Sequence, residues 1–304
     1  MLAQGSTRCA LLGLSFLSCL CTATDTSDSP ITYHATVSEV RVAFFATDEN
    51  NRPVGTVRKE DFAVVDNEIV VRDFRSFMHS DETALDVLLA VDVSESVAPR
   101  VRVVVGDVLQ LVAQKQSVAD DNISILSFNG TRPALICSSD CHNSAAATRL
   151  QAVKNGGVTP LFDTLVYAAK FLAHRRGPGV RPVLILFSDG VDTMSLSTAR
   201  DAVTAILASG ALVYSVDLSG GENRSGGSAL LKRLSETSGG RYFLRGGAAN
   251  VLKTVLEDLH ASYVVTYSLP SHAEGFHSLH LLPTHNLNLR FHSRNSYYYE
   301  NSTR

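Results

Sequence analysis

The sequence contains no block of Lys or Arg, no internal repeat and few cysteines. With 27 cationic and 30 acidic residues its net charge is −3. That balance excludes a general nucleic-acid binder, which needs a concentrated cationic face. A hydrophobic content of 45% with 19% charge excludes extensive disorder. The N-terminal apolar stretch, residues 9–21, is too short to span a bilayer, so no transmembrane span is expected in the mature chain. His272, His277, His280, His285 and His292 crowd the C-terminal end without the spacing of metal ligands.

Three of the five cysteines lie in that first stretch. Arg8 precedes it, and Thr22-Ala23-Thr24-Asp25 follows it. One cation, a short apolar segment and small residues form the pattern of a secretory leader, with cleavage expected near Ala23. The expected location is therefore outside the cytoplasm: periplasmic, cell-surface or secreted. Leu17-Ser18-Cys19 matches a lipoprotein box only loosely, so a lipid anchor at Cys19 is not favoured. The mature chain keeps Cys137 and Cys141, with His142 beside them. An oxidising compartment makes a small-loop disulfide the leading reading, ahead of two free thiols. A Cys/Cys/His metal site ranks last, because no fourth ligand has recognisable spacing.

Hydrophobic periodicity divides the remainder. Residues 24–32 are a Ser/Thr/Asp-rich lead-in. Residues 33–80 hold short alternating strands separated by turn clusters such as Asp48-Glu49-Asn50-Asn51-Arg52-Pro53. Residues 84–261 alternate strands with helices, the mark of βαβ units and a doubly wound, mostly parallel sheet. Residues 262–304 return to short strands. The fold class is thus α/β with antiparallel β segments on both flanks. Six or seven flanking strands are enough for one β-sandwich, with two separate β appendages as the alternative. Asn122, Asn129, Asn223 and Asn301 begin Asn-x-Ser/Thr sequons, which matter only where exported proteins are glycosylated.

Chemistry concentrates at three places. Leu85 to Val91 is an apolar run, interrupted only by Asp86, that ends in Asp92-Val93-Ser94-Glu95-Ser96. Such a run is a strand buried on both faces, and ligands of open α/β sheets bind beyond the carboxyl ends of strands. Asn155-Gly156-Gly157-Val158-Thr159 places a hydroxyl before a helix, and Leu184 to Phe187 is a second buried strand ending in Ser188-Asp189-Gly190. Hydroxyl and carboxylate oxygens suit a hard divalent cation, Mg²⁺ foremost, with Mn²⁺ or Ca²⁺ as alternatives. Glu95 and Asp192 flank the three places and are expected to be solvated.

The three motifs together resemble the von Willebrand factor type A domain and its metal-ion-dependent adhesion site. Asp92, Ser94 and Ser96 match the first motif, Thr159 the second and Asp189 the third, over about residues 85–261. The flanks resemble a secreted bacterial subgroup described from acidobacteria. The resemblance implies that the Ser94, Ser96 and Thr159 hydroxyls ligate the ion directly, while Asp92 and Asp189 act through water and hydrogen bonds. It implies a non-enzymatic module whose ion accepts an Asp or Glu from a partner protein.

Two other readings compete. Ser94 and Ser96 are also the residues that cap helices, and Asp189-Gly190 is also a common turn. A haloacid-dehalogenase-like phosphotransferase would use Asp92 as nucleophile, with Asp189 and Asp192 on Mg²⁺. Position 94 is then Ser where that chemistry wants a second Asp. A structural envelope protein with a fold-stabilising metal is the remaining alternative.

Overall fold

The structure, a computed structural model, describes residues 39–299 except 51, 80–83, 114–121, 139, 142, 176, 178–179, 221–225 and 245–247. The leader, the lead-in, Cys19, His142, Asn223 and Asn301 therefore lie outside the described residues.

At the centre of the α/β portion is β5 (Ala84–Asp92), the strand formed by the long apolar run. It pairs in parallel with β8 (Val180–Ser188) on one side and β6 (Asn122–Asn129) on the other. The six-stranded sheet continues through β9 (Leu212–Asp217) to β10 (Tyr242–Phe243), and through β6 to antiparallel β7 (Arg132–Ser138). Alternation along β5 sends its side chains into two cores, as strand geometry requires. Leu85, Val87, Leu89 and Val91 join the core under α1 (Ala98–Ala113), α2 (Ser144–Gln151) and α6 (Ala248–His260). Leu88 and Ala90 join the core under α3 (Leu161–His174), α4 (Ala199–Ser209) and α5 (Gly226–Ser238). Fully burying each of these large aliphatic side chains stabilises the fold by roughly 1.5–3 kcal/mol, which makes the central strand a rigid base. Before its terminal Asp92, β5 carries one further charge, Asp86, and Arg175 pairs with it at 3.0 Å.

The chain runs outward from β5 through β6 to β7, then crosses back to begin β8 on the opposite side. The order reverses between β5 and β8. A crevice at such a switch point is where open sheets bind ligands.

The flanks interleave. β1 (Glu39–Thr47) and β4 (Ser76–His79) share a sheet with β11 (Tyr263–Ser268) and β13 (Arg290–Ser293). The second sheet holds β2 (Phe62–Asp66), β3 (Ile69–Val71), β12 (Gly275–Pro283) and β14 (Ser296–Tyr299). One core of Val42, Phe44, Phe62, Val64, Val265, Tyr267 and Leu279 lies between them. Buried Asp66 accepts hydrogen bonds from Tyr267 and Tyr297, each at 2.7 Å, tying strands of both flanks together. The alternative of two separate β appendages is therefore wrong: each sheet contains strands from both ends of the sequence.

Several elements depart from the expectations of periodicity. α2 was hidden in an Ala-rich segment, and Asn143 starts it by accepting from the Ala146 amide. β4 and β14 are four residues each, too short to show a period. Leu287 and Leu289 fall before β13, which begins at Arg290, because Asn286 accepts from the Asn288 and Leu289 amides and makes a turn. Among the described residues no helix is long and apolar enough to cross a membrane. Cys137 and Cys141 are joined by a disulfide across a Cα separation of 5.2 Å. Their sulfurs are therefore unavailable as thiolates for a metal, although Asp140 lies beside them.

Candidate metal centre

Asp92 is the last residue of β5 and is fully buried. Its Oδ1 accepts the Ser94 amide at 2.9 Å, and its Oδ2 accepts the Ser188 hydroxyl at 2.7 Å. Burial raises this carboxyl above the ordinary carboxylate range, and the nearby Asp189 charge adds to that. Hydrogen bonds from Ser94 and Ser188 work in the opposite direction. Ser188 itself accepts from the Gly190 amide at 3.1 Å. This serine, at the end of β8, is the site residue that motif reading passed over. Its signal was its place beside Asp189 at the end of a buried strand.

Ser94 begins a 3-10 turn, Glu95–Val97, yet its side chain makes no capping hydrogen bond. Ser94 occupies the cap position of this turn without using its side chain as the cap. Its hydroxyl instead lies 3.3 Å from the Ser96 hydroxyl, so the two oxygens converge. Ser94 is buried, whereas Ser96 and Glu95 are exposed.

The glycine-rich loop is fastened to this first loop through its backbone. Gly156 donates its amide to Val93 O at 2.9 Å, and Glu95 donates its amide to Gly157 O at 3.2 Å. Asn129 donates its side-chain amide to Gly156 O at 2.8 Å and to Lys154 O at 3.2 Å. The Asn129 sequon thus contains a residue that holds the loop. Thr159, buried, closes the ring: its amide donates to the Thr193 hydroxyl at 2.7 Å, and its carbonyl accepts the Thr193 amide at 2.9 Å.

Asp189 follows β8 and is 7% exposed. Its Oδ1 accepts the Val191 amide at 3.0 Å, an Asx-type turn. Gly190 has φ +76, and a Cβ there would collide with the backbone of Gly227 at the start of α5. The ordinary-turn reading therefore captures only the local part, because the turn is also a packing contact between chain segments.

Asp192 is not solvated as expected. Its Oδ1 accepts the Phe162 amide at 3.1 Å and the Ser195 hydroxyl at 2.5 Å, satisfying an orphan N–H in the first turn of α3. Asp163 in turn accepts the Leu196 and Ser197 amides at 2.9 and 2.8 Å. Burial works to raise the Asp163 carboxyl, but these hydrogen bonds outweigh it and hold it below its ordinary value.

The three loops thus form one hydrogen-bonded unit beside the β5–β8 crevice. Residues 86–258, more than half of the chain, match the von Willebrand factor type A domain. The chain belongs to that family. Von Willebrand factor type A domains are commonly metal-dependent protein-interaction modules. Rv2850c of Mycobacterium tuberculosis is 29% identical over 186 residues, 59% of this chain and 27% of that protein. The chain thus spans about a quarter of the curated relative it matches. Solved structures with similarity include an aerotolerance-related membrane protein of Bacteroides fragilis, carrying multiple mutations to serines. It is 18% identical, with a TM-score of 0.42, and the match covers 58% of this chain and 98% of that one. The pilus adhesin SpaC of Lactobacillus rhamnosus GG, in its open conformation, is 11% identical with a TM-score of 0.49. That match covers 71% of this chain and 35% of the adhesin.

The donor set of this type A domain fits a hard cation. Oxygens are the only ligand atoms that Asp92, Ser94, Ser96, Thr159 and Asp189 offer, which suits Mg²⁺ or Ca²⁺ over softer metals. Both Asp92 oxygens accept hydrogen bonds, from Ser94 and Ser188.

Proposed function

We propose that this chain is an exported, non-enzymatic protein-binding module that captures an acidic side chain of its partner through a divalent cation, Mg²⁺ foremost. Ser94, Ser96 and Thr159 hold the ion by their hydroxyls. Asp92 and Asp189 orient the surrounding hydrogen bonds and balance charge. With few carboxylates on the ion it retains much of its positive charge, and a partner's Asp or Glu completes its coordination. The observation that carries this reading is the mutual fastening of the three motif loops, with Ser188 anchoring Asp92 beneath them. Export is supported by the leader-like N-terminus.

The phosphotransferase alternative finds no support in the geometry. Asp192, which would have to reach Mg²⁺, is engaged with Phe162 and Ser195, and position 94 supplies a hydroxyl where an acid/base carboxyl is needed.

Titration of the full chain with Mg²⁺ and Mn²⁺ by calorimetry tests the proposal. Binding is expected, and Mg²⁺ at about a hundred times its Kd should add roughly 2.7 kcal/mol to unfolding stability. Asp92→Ala and Ser94→Ala should each abolish the heat of binding. Unchanged binding in both variants would place the ion elsewhere. Partner capture from an envelope extract should vanish with chelator.

A further inference from the structure

Beside the proposed ion site, four large apolar side chains face solvent. Val158 is 41% exposed, Val191 39%, Met194 51% and Leu196 96%. Their chain segments are joined by the hydrogen-bonded frame. Val158 precedes Thr159, whose backbone bonds with Thr193 place it against Met194's own loop. Val191 donates its amide to Asp189.

The exposure of Leu196 does not come from a slack loop. The Leu196 amide donates to Asp163 Oδ2 at 2.9 Å and the Ser197 amide to Asp163 Oδ1 at 2.8 Å. One residue earlier, Ser195 is fixed by Asp192 at 2.5 Å, and its hydroxyl accepts the Asp163 amide at 3.1 Å. Two aspartates thus hold an almost fully exposed leucine on a short, pre-ordered segment. An apolar group held in water at no folding benefit, and already ordered, loses little further freedom when a partner covers it.

We propose that this apolar border selects the partner: the captured Asp or Glu is flanked by a branched aliphatic or aromatic side chain that packs on Leu196 and Met194. This rests on the proposed function, since the ion supplies the charge that the acid complements. The acid fixes the register at the ion, and the neighbouring side chain supplies apolar burial. Covering a leucine side chain fully is worth roughly 10- to 100-fold in affinity. The partner surface is thus neither a bare acidic patch nor a purely apolar one.

Panning a displayed random heptapeptide library against the immobilised full chain in Mg²⁺ tests this. Expected is enrichment of Asp or Glu with Leu, Ile, Val or Phe within two residues, abolished by chelator. On Leu196→Ser with Met194→Ser the acid should still be enriched, while the apolar neighbour should fall to its frequency in the unselected library. Both side chains are exposed, and thermal melts confirm that the variant is folded. Chelator-sensitive enrichment of acids with no apolar neighbour overturns the selection proposal and leaves the ion reading standing. Enrichment insensitive to chelator and to Ser94→Ala, or no enrichment at all, overturns both.

Discussion

Ser188 donates its hydroxyl hydrogen to Asp92 Oδ2 at 2.7 Å, joining the ends of the two strands that bracket the switch point. The bond is buried and is in turn coupled to the Gly190 turn, because Ser188 accepts the Gly190 amide. One hydroxyl therefore aligns the first and third motifs.

Ser188→Ala should expose this coupling. It leaves a buried carboxylate oxygen without its donor and the Gly190 amide without its acceptor. The expected cost is about 1–3 kcal/mol in urea denaturation. Because Ser188 orients a site residue without itself being a proposed ligand, Mg²⁺ affinity should drop by roughly 10-fold or more. Unaltered affinity in the variant would show that Asp92 is positioned without it.

Gly190→Ala and Gly130→Ala separate backbone strain from backbone contact. Both glycines have positive φ, +76 and +66. A Cβ at Gly130 meets open space, so that variant should lose only about 1 kcal/mol. At Gly190 the same methyl also meets the Gly227 backbone, and a loss of about 2 kcal/mol or more is expected. Equal chemical-denaturation midpoints for the two variants would contradict the close approach.

Two groups near Arg241, the half-buried His292 and the buried Asp258, should impose opposite pH dependences. Burial, with the Arg241 and Arg290 charges, brings His292 down to about 4 from 6.5. Its contribution to stability is full above pH 6.5 and is lost as pH falls toward 4. Burial raises Asp258 to about 6 from 3.8 despite its ion pair with Arg241 at 2.8 Å. Its contribution is full below pH 3.8 and is lost as pH rises through 6. Between pH 4 and 6 the two offset each other in the native chain. His292→Gln should therefore leave a stability that falls with rising pH, by about 2–3 kcal/mol across the window. Asp258→Asn should leave one that rises. Slopes of the same sign in the two variants, read from urea midpoints at half-unit steps, would refute the pairing.

Reduction of Cys137–Cys141 should be felt in stability and not in ion binding. The two cysteines are four residues apart, so the closed loop is short and its loss is worth roughly 2 kcal/mol. They lie at the end of edge strand β7 and just beyond it, away from β5 and β8. A double Ser variant should melt lower while binding Mg²⁺ as the native chain does.

Local pattern was enough for the two buried strands and for the long helix α3, though not for α2. Leu161–His174 follows its apolar spacing from end to end. The oxygen-rich end of β5 was equally legible, because strand burial, residue type and the place of ligands beyond strand ends are properties of a few consecutive residues. Tertiary structure alone decided how those oxygens are used. It gave Ser188 to Asp92, Asn129 to the glycine-rich loop, Asp192 and Asp163 to the segment carrying Leu196, and Gly227 to Gly190. It also interleaved the two flanks into sheets around one core. The reason is the same in each case. A hydrogen-bond partner or strand neighbour contributed from a distant part of the chain leaves no period and no spacing in the segment it serves, so only the folded path of the backbone brings it into reach.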